Sequence, residues 1–366
     1  MGALVSEVKR GTAVARPRSV RRRTSQADVA RAAGVSPGIV SSVINNKSYG
    51  SIRVSEATRL RVLAAVEELG YVPNLAARSM AGGTNRIIGV FTYESVFPMG
   101  AQNFYHEFLV GIEDAADAAE HNLLLVTGAR RDDRRSLFPA GVNGLRLADG
   151  GLLLGATEDT DEVRRLAREG YPFVFVGERH YPDLEPSYTA ADYVSGTADV
   201  VARVHAAGHR RIALLNTHHD PVPGRVAGFE LGRERLGLSA EACPVVRCHR
   251  DESFGPERMD AVVADLLERG VTAVVAQGGS VVEPLWDAIG RRGLHVPRDL
   301  SLIGLEGNER EVHGLRLTDL QVPRREMGRT AVRLLLTLVT DPDAGPLQER
   351  LACGFREGDT LAAPVR

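Results

Sequence analysis

The sequence predicts a fold in two parts: an all-α headpiece of helix-turn-helix type, and an α/β body of two parallel-sheet subdomains. Three observations predict it. Ala27–Asn46, ADVARAAGVSPGIVSSVINN, carries the punctuation of two short helices around a tight turn. From Arg86 onward short apolar runs alternate with segments of helical period, and the plan occurs twice. Charge is also unevenly divided. Residues 1–83 hold 13 Lys/Arg against 5 Asp/Glu, although the 366-residue chain has a net charge of −2.

In order, residues 1–23 read as a basic disordered tail with Arg16, Arg18, Arg21, Arg22 and Arg23. The first helix is expected over Gln26–Ala33, stopped by Gly34, a residue that adopts the left-handed conformation of a C-cap easily. The second opens at Ser36, with Pro37 at the first helical position. Ala30, Val35, Val40 and Val43 are small enough for the two helices to cross closely. A third helix is capped by Ser55 and carries the stripe Val62, Leu63, Val66, Leu69 up to Gly70. After Pro73, Asn74 is placed to cap a short fourth helix ending at Met80.

In the body, strands are predicted at Ile87–Phe91, Leu123–Thr127, Gly150–Gly155 and Phe173–Gly177, with helices at Phe104–Glu120 and Glu162–Glu169 and a helix end near Leu145–Ala148. The second unit has strands at Arg211–Leu215, within CPVVRC and TAVVAQ, and at Leu300–Glu306. Its helices are Ser195–Ala207, Arg225–Leu236, Met259–Arg269 and Glu283–Arg292, and a long one, Arg325–Thr340, follows. Continuous apolar strands between helices mean parallel sheets covered on both faces.

A chain of this length can hold two or three domains. Three cysteines with no CxxC pair point to a reducing compartment. No 18-residue apolar run is present, so no membrane span is expected, and with no secretion signal the expected location is cytoplasmic. A basic module on an acidic body fits phosphate binding by one end.

The stretch Ser25–Met80 resembles the DNA-binding headpiece and hinge of the lactose-repressor (LacI/GalR) family. The resemblance rests on Asp28-Val29-Ala30, Ala33-Gly34-Val35-Ser36, Val40-Ser41, Asn45, Val54-Ser55, Thr58-Arg59, Val62, Leu69-Gly70-Tyr71, Pro73-Asn74 and Ala77-Arg78-Ser79. It continues more weakly along the body and implies a periplasmic-binding-protein-like fold there. It further implies a transcription regulator without catalytic activity, a dimeric repressor on a palindromic operator. The implied segments are 24–72 for the helix-turn-helix and 73–84 for hinge and linker. An N-terminal effector and dimerisation subdomain is expected at 85–190 with about 316–338, and a C-terminal one at 191–315 with about 339–366. Leu315–Leu336 and the face near residues 86–115 are candidate dimer surfaces. No leucine-heptad tail argues for a tetramer.

The implied DNA-contacting residues are Ser25, Ser36, Pro37, Gly38, Ser41, Ser42, Asn45 and Arg53, with Asn74, Ala77 and Met80 in the hinge. Ile39 is expected on the same outward side of the second helix. Pro37 and Gly38 offer no side-chain hydrogen bond, which shifts base reading onto the serines, Asn45 and groove shape. Met80 stands where the family has a leucine that wedges into the minor groove.

Ligands in open α/β sheets bind beyond the C-terminal strand ends. The effector candidates there are Tyr93, Glu94, Phe97, Phe104, Arg225, Gln277 and Glu306, and the resemblance adds Asp192, which keeps the aspartate of the family's Asp-Asn pair. Arg225 lies in GRVAGF, like the family's RxxGF, and offers a rigid fork of donors. The chain departs from the family at Gly278-Gly279, Glu306-Gly307 and Tyr193, which weakens a simple-sugar assignment and makes room for a larger or aromatic ligand. A sugar or related metabolite remains the expected ligand class. The alternative is a degenerate pocket, with regulation by a protein partner or none. His205, His209 and His218-His219-Asp220 lack a zinc-site pattern, and no phosphate loop or nucleophile elbow occurs. Neither enzyme activity nor a cofactor is expected.

Overall fold

The computed structural model describes residues 24–44, 54–72, 84–93, 104–127, 130–131, 134–155, 158–217, 224–248, 255–307 and 311–365. The chain divides into two compact units, Met1–Gly83 and Thr84–Arg366.

In the first unit, α1 (Gln26–Ala33) begins with a complete capping box. The Ser25 hydroxyl accepts from the Asp28 amide, and the Asp28 carboxylate accepts from the Ser25 amide at 2.9 Å. Gly34 closes α1 at φ 65°, and Val35 N–H returns to the Ala30 carbonyl. Then α2 (Pro37–Ile44) crosses α1, tied by Gln26 Nε2 donating to the Pro37 carbonyl. Finally α3 (Glu56–Glu68) is capped by Ser55, and Thr24 Oγ1 donates to the Leu69 carbonyl behind it. Val29, Ala30, Ala33, Val40, Val43, Val62 and Ala65 form the core. The α3 stripe differs from expectation: Leu63 is 41% exposed and Ala65 is buried in its stead. Three short helices meet closely only where the contact residue is small.

The second unit runs β1 (Ile87–Thr92), α4 (His106–Ala118), β2 (Asn122–Val126), the hairpin β3 (Arg130–Arg131) and β4 (Arg134–Arg135), β5 (Gly150–Leu154), α5 (Thr160–Arg168), β6 (Phe173–Val176) and β7 (Tyr188–Asp192). It continues with α6 (Tyr193–Ala206), β8 (Ile212–Thr217), α7 (Gly224–Arg235), β9 (Val245–Cys248), α8 (Pro256–Glu268), β10 (Ala273–Ala276), α9 (Gly279–Arg291) and β11 (Ser301–Gly304). The remaining elements are the hairpin β12 (Glu311–Val312) and β13 (Leu315–Arg316), β14 (Thr318–Gln321), α10 (Arg324–Thr340), β15 (Gln348–Ala352) and β16 (Gly354–Arg356).

Two six-stranded sheets result, β15-β7-β6-β5-β1-β2 and β16-β14-β11-β10-β8-β9. All pairings within them are parallel except β14 with β16. Each sheet with its helices is one lobe. The chain passes between lobes after Asp192, after Gln321 and at Cys353, the single residue between β15 and β16. The crossing points therefore differ from the expected segments. Thr318–Gln321 pairs in the second sheet, and Gln348–Ala352 pairs in the first. Before β5, Leu145–Ala148 is a turn rather than a helix end.

One apolar cluster spans both lobes, from Ile88 and Leu335 through Ala191, Leu320 and Val322 to Leu214 and Phe229. Two further clusters cover the outer faces, one per lobe. In the first lobe α4 and α10 cross at glycines: a Cβ on Gly111 would lie 1.9 Å from the Arg325 carbonyl oxygen, and one on Gly328 would lie 2.3 Å from that of Phe108. Asp114 fastens the crossing by accepting from Arg325 and Arg329 at 2.7 and 2.8 Å. The stretch Leu315–Leu336, expected at a dimer surface, is largely interior. Leu317, Leu320, Met327, Ala331, Leu334 and Leu335 are all buried. Among the described residues no helix is long and apolar enough to cross a membrane.

Candidate functional site

The headpiece presents Ser36, Pro37 and Gly38 as exposed residues at the start of α2, with Ser41 half-buried one turn on. Pro37 has no N–H to donate and Gly38 has no side chain. This surface therefore offers the serine hydroxyls and a close backbone approach. Ser42 does not face outward as expected: it is 8% exposed, one turn on from Ile39, which packs against the headpiece core, so the covered side of α2 is wide enough to include it. Ile39 is likewise drawn partly into the core. Ser25 is occupied in capping α1. Asn45, Arg53, Asn74, Ala77 and Met80 lie outside the described residues, as does the tail.

In the body, side chains from both lobes meet where the chain crosses. A glycine at every fourth position, Gly224, Gly228 and Gly232, lets α7 lie against α6: a Cβ on Gly228 would stand 2.4 Å from the Val194 carbonyl oxygen. This close crossing sets Arg225, 6% exposed, with its guanidinium carbon 4.7 Å from the centre of the Tyr193 ring. Asp192 caps α6 by accepting from Ser195 N–H at 3.0 Å. Burial raises the Asp192 pKa, but hydrogen bonds from Ser195 and the charge of Arg350 outweigh it, and the carboxyl titrates below its ordinary value.

Arg324 opens α10 and is 4% exposed. Its guanidinium carbon stands 5.0 Å from the Phe104 ring centre on the first lobe. The same group donates to the carbonyl of Gly307 at 2.9 Å and to that of Glu306 on the second lobe. Burial raises the Tyr193 phenol above its ordinary value, while Arg225 and Arg324 both pull it down. Burial also pushes the Cys353 thiol up to about 12, assisted by the charge of Asp192. The thiol is held protonated at neutral pH and is a poor nucleophile.

Phe104, Asp192, Arg225 and Glu306 are thus joined into one neighbourhood by Tyr193 and Arg324. In the sequence Tyr193 stands out only as a departure from the family, and Arg324 carries a single signal, its place just after Pro323. Tyr93 does not join them. It packs edge-on against Phe91 at 4.8 Å in the outer cluster, where burial and then Glu162 and Asp159 push its phenol up. Gln277 is half-buried at the end of β10, its N–H bound to the Leu215 carbonyl. Glu94 and Phe97 lie outside the described residues. The space expected beside Gly278 is taken: a Cβ there would lie 3.1 Å from Glu306 Oε2. Trp286 is core, near the His313 ring. His209 is structural, bound to Thr272 Oγ1 and the Ala362 carbonyl. Among the described residues no group of three or more His, Cys, Asp or Glu is placed to hold a metal.

A helical headpiece followed by two α/β lobes with a charged seam defines a DNA-binding regulator of two-lobed body. Residues 27–74 match the family described as bacterial regulatory proteins, lacI family, and residues 201–361 match the periplasmic binding protein-like domain. The chain is 30% identical over 337 residues to the HTH-type transcriptional regulator CelR of Thermobifida fusca, covering 90% of this chain and 95% of that one. It is 28% identical over 313 residues to catabolite control protein A of Priestia megaterium, covering 84% and 90%. A solved structure of a CelR–cellobiose complex matches with a TM-score of 0.60 and 27% identity, over 92% of this chain and all of that one. The chain belongs to the lacI family of bacterial regulatory proteins. It is a sequence-specific DNA-binding transcription regulator, not an enzyme.

Proposed function

We propose that the protein is a repressor that binds a palindromic operator as a homodimer, with an affinity set by a small effector held between the lobes of its body. The observation that carries the effector reading is the seam itself. Phe104 and Arg324 from the first lobe meet the Glu306–Gly307 backbone of the second, with Arg225 and Tyr193 beside them. Buried guanidiniums over aromatic rings, flanked by carboxylates, suit a hydroxylated ligand that offers both donors and acceptors. An effector that prefers one lobe arrangement biases the DNA-binding form only by that preference. Two headpieces related by a two-fold axis read two half-sites, and Met80 acts as the apolar wedge at the operator centre.

Against a degenerate pocket stands the pairing of Gly278 with Glu306: the space left by the missing side chain holds a carboxylate. The test is selection of bound duplexes from a randomised pool by the purified protein, repeated with a metabolite mixture containing cellobiose. A palindrome whose enrichment changes with metabolites is expected. A palindrome indifferent to every metabolite would reject the effector reading, and no enrichment would reject the operator reading. Arg225→Ala is expected to abolish the metabolite effect while leaving effector-free DNA affinity unchanged.

A further inference from the structure

We infer that Asp319 is a positioning residue for Glu306, acting through the backbone amide of Gly307 as a proton-linked latch. The inference rests on the effector reading only in giving Glu306 a purpose in the cleft; the latch itself is a property of the body.

Asp319 lies within β14 and is 2% exposed. Its Oδ2 accepts from Gly307 N–H at 2.9 Å. Its Oδ1 is buried with no hydrogen-bond partner among the described residues. The neighbouring backbone is shaped around that oxygen: a Cβ on Gly304 would come within 2.8 Å of it. Gly307 is itself confined, with φ 75° and a would-be Cβ 2.7 Å from the Val322 nitrogen. Arg324 holds the carbonyls of Glu306 and Gly307, and Asp319 holds the amide between them. The Glu306–Gly307 backbone is fixed from both sides, and from it the Glu306 carboxylate reaches the start of α9 at Gly278.

The charged groups facing Asp319 are Glu306 on its own latch, Arg324 at the start of α10, and Arg356, directly opposite in the β14–β16 register. Arg356 Nη1 is also buried without a partner among the described residues, so the two strands oppose a carboxyl and a guanidinium that are not hydrogen-bonded through Oδ1 and Nη1. Burial pushes the Asp319 carboxyl up to about 7; the Gly307 bond and the two arginines pull against that, and Glu306 adds to it. The Gly307 bond rewards the ionised form, so its strength follows the proton on Asp319.

The test is hydrogen exchange of the ligand-free full chain at pH 6 and pH 8, read by mass spectrometry in the peptide covering Leu305–Gly307 and corrected for intrinsic exchange. In the natural protein the corrected rate is expected to be slower at pH 8 by several-fold. Asp319→Asn, which keeps an acceptor oxygen, is expected to lose that pH dependence. Asp319→Ala is expected to exchange about tenfold faster at pH 8. Should Asp319→Ala loosen the whole lobe, Asp319→Asn carries the test alone. An Asp319→Asn protein with the natural pH dependence, or a folded Asp319→Ala protein with natural protection, overturns the latch. Failure of the effector reading would appear differently, as operator binding indifferent to metabolites with these exchange results intact.

Discussion

Replacing Asp319 by asparagine should reshape the pH dependence of stability in the second lobe. The folded carboxyl titrates at about 7 against an ordinary value of 3.8, with burial the main cause. Between those values the folded chain retains a proton that the unfolded chain has released. The stabilisation from the neutral acid is complete below the unfolded value and is lost as pH rises through the folded one. Each pH unit across that interval costs about 1.4 kcal/mol. From pH 5 to pH 8 this single group therefore removes roughly 2–3 kcal/mol. Asparagine keeps the shape and an oxygen for Gly307 but does not titrate. Urea unfolding of the full chain can be followed by Trp286, the sole tryptophan, which is buried in the core cluster of the second lobe. The variant's advantage over the natural chain should grow by that amount between the two pH values. A constant difference at pH 5 and pH 8 would refute the reasoning.

Three other outcomes are expected. Gly328→Ala, whose Cβ would meet the Phe108 carbonyl oxygen at 2.3 Å, should force α4 and α10 apart and cost about 1–3 kcal/mol in chemical denaturation of the first lobe; unchanged stability would show that the crossing tolerates a methyl group. Gly278→Asn should expel the Glu306 carboxylate from its place, visible in a crystal structure of the variant, and an unmoved Glu306 would contradict the exclusion argument. Ser25→Ala removes the capping box of α1 and should lower headpiece stability by about 1 kcal/mol, measured by amide exchange in Gln26–Ala33; unchanged exchange there would reject the cap as a stabilising element.

How much was readable in the sequence depends on how local the cause is. Ser25, Gly34, Pro37 and Ser55 act on the turn they occupy, and the helices begin and end as they direct. The apolar central strands were equally plain. Not legible were β7, β14, β15 and β16, the strands beside the crossings, and the two-residue strands of the hairpins β3–β4 and β12–β13. Gln348–Ala352 alternates exposed and half-buried residues, which leaves no apolar run to see. Ser42 and Leu63 were misplaced because helix geometry names the members of a face, while the neighbouring helices choose which face is covered. The seam was half legible. Arg225 was carried by its motif, whereas Asp319 and Arg324 gain their meaning from Gly307, which the β11–β14 pairing sets beside Asp319 and the crossing after Gln321 sets beside Arg324.

The two strands on either side of Cys353 close different sheets, β15 at the edge of one and β16 at the edge of the other. During synthesis neither lobe has its full complement of strands until residues 348–356 have left the ribosome. A body built this way cannot finish its lobes one after the other, as separate domains commonly do. Both are completed in the same late step, and a chain stalled before residue 348 would expose the unpaired edges of Tyr188–Asp192 and Thr318–Gln321 together.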